Sequence, residues 1–431
     1  MSTSTPAVPT ELILEILLWV DIDFIGVDRS TALFSCCLVS RSWLAAAQPL
    51  LFSRITVKIG TAGKQKLATR ILSYPDKLRA YILQLRLDVR AYGSGDPVQD
   101  VAALANTSGD WQFRGLRLEN SFHLLVSQTF QTLPSSDRLT SLSLRRLTVS
   151  SDVLLSLPPA LREIQLDDVH VDDLQLLISD TRSDSSTNPE QSTPSPRPSI
   201  QKLSLTNGGG LVTWFYQPHC HLDFSHLETL LLCEETFVWE YFEDVGLFLA
   251  IVGPTIKHLF FGLTPHLLDL FSIPSHLPLG NMKRIRSLSL RLGTYDDKFG
   301  WIMGFLQNLP DGQLEEICIY TVPLCKRLAH APGWGVLDDE LTLRGTRVYV
   351  CLPASTSTHT QEKDKVLLAI IFQLAPTLYN QGRLTIVPSF GPLIMKDDLN
   401  APSSPLGPTH IHPNSSNDKV HQALWRYALD F

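Results

Sequence analysis

The chain has 431 residues, a length that at roughly 100–200 residues per domain allows about two to four domains or one long repeat array. Acidic residues (43) outnumber basic ones (36), for a formal net charge of −7, and charged residues make up only 18% of the chain. There is thus no basic surplus of the kind a dedicated nucleic-acid binder carries, and no uninterrupted apolar run of the roughly 18 residues that would cross a membrane. Leu alone supplies 72 residues, and that excess asks for an explanation.

In chain order, residues 1–7 are expected to be disordered and 8–57 to form a small helical domain. Val8-Pro9-Thr10-Glu11-Leu12 sets Pro at a helix start, where its missing N–H is not needed. Leu12, Ile16 and Val20 then share one face, with Ile13 and Leu17 beside them. The apolar run from Leu12 to Val20 contains Glu15 and has no basic residue before it, which is wrong for a signal peptide. After a long link, Asp21–Arg29, come a second helix over Ser30–Val39 and a third over Ser40–Pro49 with Ser40 as its cap. Leu33, Leu38, Val39, Trp43, Leu44, Leu50 and Leu51 would supply the core.

From residue 58 to 390 a pattern recurs, with apolar residues at i, i+3 and i+5. It begins at Ile82, Phe113, Leu139, Leu161, Ile200, Leu227, Ile256, Ile285 and Leu314, at offsets of 31, 26, 22, 39, 27, 29, 29 and 29. Within each, alternate side chains of a strand point to opposite faces, so Leu142 and Leu144 turn inward while Ser143 and Arg145 turn outward. The long step of 39 contains Ser179–Ser199, where 14 of 21 residues are Ser, Thr or Pro; it reads as a disordered insert. Past Ile319 the period fades. Thr346–Leu352 and Arg383–Val387 read as two more strands with a helix at Lys363–Leu374 between them. Residues 391–431 read as a loose tail with a capping helix at 420–429.

One such unit cannot bury its own apolar face, whereas stacked units share a core and align their strands in parallel. The spacing lies near the roughly 20–29 residues of such repeats, and the segment resembles an irregular leucine-rich-repeat solenoid. It lacks most of the Asn or Cys expected after each strand, which puts regular hydrogen bonding at that turn in doubt. A non-repeat α/β fold with Leu-rich strands is the alternative. The fold class expected is therefore α/β, three short helices followed by the repeats. Side chains aimed out of the strands, among them Arg86, Arg117, Arg145, Ser204, Phe260, Ser289, Arg291, Cys318 and Tyr320, would form a binding surface.

The N-terminal blocks, Pro9-x-Glu11-Leu12…Ile16 and Leu38-Val39-Ser40-Arg41-x-Trp43, resemble an F-box, and together with the repeats the chain resembles a fungal-type F-box protein. The likeness covers about 45 residues; Val8 stands where the family usually has Leu. It implies a non-enzymatic substrate receptor of a cullin-type ubiquitin ligase. Val8, Pro9, Leu12 and Ile16, with Leu38 and Val39, would lie at the contact with a Skp-type adaptor, and through it a cullin. Trp43 would anchor the domain's own core, and the repeats would hold an unknown target protein. The alternative function is a repeat scaffold with no ligase role, its first helices serving as a cap.

Catalytic motifs are missing: no Walker loop, no Gly-x-Gly-x-x-Gly, no His-Glu-x-x-His and no Gly-x-Ser-x-Gly occurs. Asn207-Gly208-Gly209-Gly210 reads as a turn. His219-Cys220-His221 with His226 and Cys233 has spacing that could reach a tetrahedral metal, yet a surface turn is the better reading. Tyr295-Asp296-Asp297 reads as a solvated turn. No metal, cofactor, nucleic-acid or membrane partner is expected. Seven Cys residues, an odd number without framework spacing, fit reduced thiols in the cytoplasm or nucleus.

Overall fold

All nine strands marked by the i, i+3, i+5 pattern form, in sequence order, because the two alternating apolar residues of each have one face to be buried against. The computed structural model describes residues 8–23, 27–59, 78, 81–89, 114–120, 138–149, 151–155, 157–171, 174, 197–217, 220–234, 239–263, 277–292, 300–321, 333–352, 373 and 375–388. It is a mixed α/β protein in two compact units. One comprises the described residues up to 263 with 277–285 and 308–310, the other 286–307 and those from 311 on.

The first unit opens with three helices, α1 (Thr10–Asp23), α2 (Val27–Cys37) and α3 (Arg41–Ser53). Ile13, Leu17, Leu33, Ala46 and Ala47 form their core, with Val20, Cys36, Cys37, Trp43, Leu50 and Leu51 packed against it. Ser40 caps α3, its Oγ accepting from the Trp43 N–H at 3.4 Å. The link between α1 and α2 is shorter than expected, since α1 runs on to Asp23 and α2 starts at Val27. Leu38, Val39 and Leu44, expected in this core, are exposed.

Strands follow at β1 (Arg54–Ile59), β2 (Gln84–Val89), β3 (Gly115–Asn120), β4 (Ser141–Arg145), β5 (Thr148–Val149), β6 (Glu163–Asp167), β7 (His170–Val171), β8 (Lys202–Thr206), β9 (Thr229–Glu234) and β10 (His258–Leu263). The helices between them are α4 (Ser151–Leu155), α5 (Gly209–Phe215) and α6 (Trp239–Val252). Eight strands pair in parallel in the order β1-β2-β3-β4-β6-β8-β9-β10, while β5 pairs with β7. Because β1 starts at Arg54, the helical segment ends four residues before the expected boundary. Phe52-x-x-Ile55-x-Val57 has the same apolar spacing as the nine repeats, so this strand too was written in the sequence.

The register keeps equivalent apolar residues in line. Ile55, Leu85, Leu116, Leu142, Ile164, Leu203, Leu230 and Leu259 face one another across successive strands. Ile82, Leu139, Leu161, Ile200, Leu227 and Ile256, each three residues before one of these, are buried as well. One carbonyl at each strand entry accepts from two successive N–H groups of the next. Leu83 O takes those of Arg114 and Gly115, Arg114 O those of Thr140 and Ser141, and so on to Glu228 O with Lys257 and His258.

Hydrogen bonding at the strand exits, doubtful from the sequence, is regular over three repeats. The N–H groups of Arg146, Asp168 and Asn207 donate to Asp167 O, Thr206 O and Cys233 O at 2.7, 2.8 and 2.9 Å. All three residues adopt positive φ, at 50°, 54° and 51°. Asn207 is thus a turn as expected, but Gly209 already opens α5. A Cβ at Gly210 would press on the Leu174 side chain at 2.8 Å.

The second unit holds β11 (Ser287–Leu292), α7 (Gly300–Asn308, its last residue belonging to the first unit), β12 (Glu316–Thr321), α8 (Trp334–Arg344), β13 (Arg347–Leu352), α9 (Pro376–Asn380) and β14 (Leu384–Pro388). Its four strands pair in parallel, with Leu288, Ile317, Val348 and Leu384 in register. Helix α8 ends where Gly345 takes φ of 73°. There the Gly345 N–H reaches Thr342 O and the Thr346 N–H reaches Leu341 O, both at 3.1 Å, the paired bonds that close a helix through a left-handed glycine. The Asp338 carboxylate, buried on α8, caps α9 by accepting from the N–H groups of Thr377 at 2.9 Å and Leu378 at 2.7 Å.

Residues 1–7, the insert up to residue 196 and the tail 391–431 with its helix at 420–429 lie outside the described residues, as does the helix at 363–374 except Gln373. The last insert residues are ordered. Pro198 O accepts from the Asp223 N–H at 2.9 Å, and Ser199 bridges Asp223 in parallel. Among the described residues no helix is long and apolar enough to cross a membrane.

Candidate binding surfaces

Helix α1 is apolar nearly all the way round, yet only one stripe of it faces the small core. Ile13 and Leu17 are buried, whereas Leu12 and Ile16, one helical turn apart, are exposed, and so are Leu14 and Leu18. Val8 and Pro9, just ahead of the helix, are exposed too. At the α2–α3 junction Leu38 and Val39 are 72% and 63% exposed. Phe34, which the sequence reading did not single out, and Leu44, which it placed in the core, join them. Their signal was there: a helix pair this short cannot cover so many large apolar residues. An exposed apolar concentration of this kind marks a surface for a partner. Trp43 is half-buried and packs against the core as expected, although its incomplete burial reduces the stability it supplies.

The outward side chains of the strands do not form one uniform row. In the first unit Arg86, Arg117 and Arg145 converge on a single carboxylate. Arg86 donates to Glu119 Oε2; Arg117 Nε lies 3.9 Å from the same oxygen, and Arg145 lies 3.5 Å from Oε1. The chain of charges continues through Arg145 Nε, 2.6 Å from Asp167 Oδ2. Parallel register makes this possible: Arg86 pairs with Arg117 across β2 and β3, and Glu119, Arg145 and Asp167 stand side by side on β3, β4 and β6.

The two acids respond in opposite ways. Burial raises the Glu119 carboxyl, but Arg86, by charge and hydrogen bond, with Arg117 and Arg145, outweighs it and holds the group below its ordinary range. At Asp167 burial is the larger effect and pushes the carboxyl up despite Arg145 and Arg146. Sequence reasoning picked the arginines but missed Glu119 and Asp167, which sit at the outward alternate positions of their own strands.

Phe260 is a correction: it is buried and cannot serve as a free contact. Strands β9 and β10 are apolar on both faces, with Leu230, Leu232, Leu259 and Phe261 on one and Leu231, Cys233 and Phe260 on the other, and all are buried. A continuous run such as Leu230-Leu231-Leu232 is the mark of a strand covered on both sides. Ser204, Ser289 and Cys318, expected to point outward, are also buried. These short side chains are overtopped by longer neighbours on strands about 4.8 Å away; Cys318 lies among Tyr320 and Tyr349. In the second unit Arg291 and Tyr320 are register partners, both half-buried.

The metal candidates do not assemble. Cys220 and Cys233 are buried, His221 and His226 are exposed, and His219 lies outside the described residues. No group of three possible ligands occurs among the described residues. Burial pushes the Cys220 thiol up to about 12, so it is a packed, protonated side chain and the surface turn expected there holds only for the histidines. Residues 295–297 lie outside the described residues. No protein-family model matches the chain, and no curated protein matches it.

Proposed function

We propose that this chain is a non-enzymatic substrate receptor of a cullin-type ubiquitin ligase, in which α1–α3 act as an F-box and the strands as an irregular leucine-rich-repeat array. One observation carries the reading. Of the six residues that the resemblance assigns to a Skp-type adaptor, Val8, Leu12, Ile16, Leu38 and Val39 are large, apolar and exposed and Pro9 is exposed with them, while Ile13, Leu17 and Leu33 beside them are buried. The apolar side chains left in water are thus the ones a partner would cover. Burying each on a partner is worth about 1.5–3 kcal/mol at most when removal from water is complete.

The test is co-elution of the full chain with a Skp-type adaptor on size exclusion. Pro9→Ala combined with Leu12→Ala should weaken the complex about tenfold or more, while circular dichroism and the melting temperature stay near those of the parent. Undiminished adaptor binding by the double variant removes this contact from the proposal.

A second reading has its own support. Helix α3 passes into β1 with no linker, and Ser53 O, the last residue of the helix, accepts from the Leu83 N–H at 2.9 Å. That continuity fits helices that cap a scaffold's first strand.

A further inference from the structure

Helix α2 ends on two thiols. Cys36 and Cys37 are both free, both half-buried, and both packed on the rim of the core of Ile13, Leu17 and Leu33. Cys220, Cys233 and Cys318 are buried instead. The backbone that follows the pair is a tight turn, in which the Leu38 N–H donates to Ser35 O at 3.1 Å and the Val39 N–H to Cys36 O at 3.2 Å. The chain then enters α3 at Arg41. The two thiols therefore abut Leu38 and Val39, two of the exposed apolar residues at this junction.

A direct bond between these sulfurs is disfavoured. A disulfide wants its Cβ atoms about 3.5–4.5 Å apart, whereas successive side chains of an α-helix fan out by roughly 100°, so the last turn of α2 would have to open. One further atom between the sulfurs relaxes that demand. We propose that Cys36 and Cys37 form a dithiol site for a trivalent arsenical, in which arsenic bridges the two sulfurs and its remaining substituent lies against Leu38 and Val39. The bond changes balance without an oxidant. An organoarsenic oxide, R–As=O, exchanges its arsenic–oxygen bonds for two arsenic–sulfur bonds, and the oxygen leaves as water with the two thiol protons. Burial, and after it the charge of Cys36, raise the Cys37 thiol. It therefore stays protonated at neutral pH, the form this condensation consumes, and is a poor target for alkylation, which needs a thiolate. The masking of Leu38 and Val39 rests on the receptor reading, whereas the dithiol site does not.

The probe is phenylarsine oxide, added to the full chain at one equivalent and read by intact-mass spectrometry with peptide mapping. One phenylarsine should be retained per chain with loss of one water, and it should map to Cys36 and Cys37. Dimercaptopropanol, a dithiol, should strip it, whereas an excess of the monothiol glutathione should not. Cys36→Ala and Cys37→Ala, each alone, should lower retention about tenfold or more, or at least ~1.4 kcal/mol. No adduct, an adduct mapped elsewhere, equal removal by both thiols, or retention unchanged in either variant overturns the proposal. Mapping and reversal are read on the parent chain, so they stand even where a variant fails to fold. Co-elution with a Skp-type adaptor on the same samples separates the two failures. The loaded chain should bind the adaptor about tenfold more weakly and recover with dimercaptopropanol. Equal adaptor binding by the loaded chain overturns the masking of Leu38 and Val39. An adduct on a chain that never binds the adaptor sinks the receptor reading and leaves the dithiol site in place.

Discussion

At Glu119 the balance of forces is legible atom by atom. Its folded-state carboxyl lies below its ordinary value, because Arg86, Arg117 and Arg145 together exceed the effect of burial. A carboxylate lowered in this way contributes stability above its unfolded pKa of about 4.3 and loses it as pH falls through the lower folded value. Asp167 works in the opposite sense. Burial raises it, so its contribution declines as pH rises from its unfolded value through its folded one. The two trends overlap in the parent protein. The difference between the parent and Glu119→Gln isolates the first: the parent should be the more stable at pH 7, and the gap in urea midpoint should close below about pH 4.3. A gap independent of pH would show that Glu119 stabilises by packing alone. The positive φ at Arg146, Asp168 and Asn207 is also a residue-scale feature. Asn207 and Asp168 belong to residue types enriched in this conformation and Arg146 does not, so residue type hints at two of the three turns, of which the sequence reading marked only Asn207.

Among the described elements, α9 depends on a distant residue. It has five residues, far too few to be stable by propensity, and Pro376 at its start gives a fixed φ but no donor. The two donors that follow are satisfied by Asp338, about one repeat away on α8. Asp338→Ala should therefore cost about 1–2 kcal/mol, the usual range for a lost cap together with buried N–H groups left without partners. Thermal melts read this directly, and hydrogen exchange at Thr377 and Leu378 localises it; protection unchanged there would show that α9 is held by packing of Leu378 instead. A similar tie joins α5 to α6, where Asp244 accepts from Thr213 and, at 2.6 Å, from the Tyr216 hydroxyl. Burial, and after it that bond, raise the phenol to about 12. Neither Asp338 nor Asp244 stood out in the sequence, since one acid on a helix has no visible partner until the neighbouring helix is placed.

For the whole molecule the question is whether the N-terminal helices are a module or a cap. Their core of Ile13, Leu17, Leu33, Ala46 and Ala47 is self-contained, although α3 runs directly into β1. As an F-box, residues 1–50 should be removable with a drop in melting temperature below about 4 °C, the shift of roughly 1 kcal/mol in a domain of 150–250 residues. As a cap, their loss exposes the first strand's apolar face, and a drop beyond about 10 °C, several times that free energy, selects the scaffold reading. Aggregation of the shortened chain on purification points the same way.

Strand positions were readable from the sequence because the i, i+3, i+5 rule is local: each inward residue answers only to its own alternation. Helix starts at Thr10 and the cap at Ser40 were readable for the same reason. Which outward side chains are available was not. Arg86 meets Glu119 from 33 residues away, Arg145 meets Asp167 from 22, and Phe260 is buried beside Leu231. Those neighbours are set by inter-strand register over a spacing of about 4.8 Å. The Leu-rich sequence by itself determined that strands would stack in chain order. Only the tertiary structure decided which charges meet, which aromatic is covered and which apolar face stays in water.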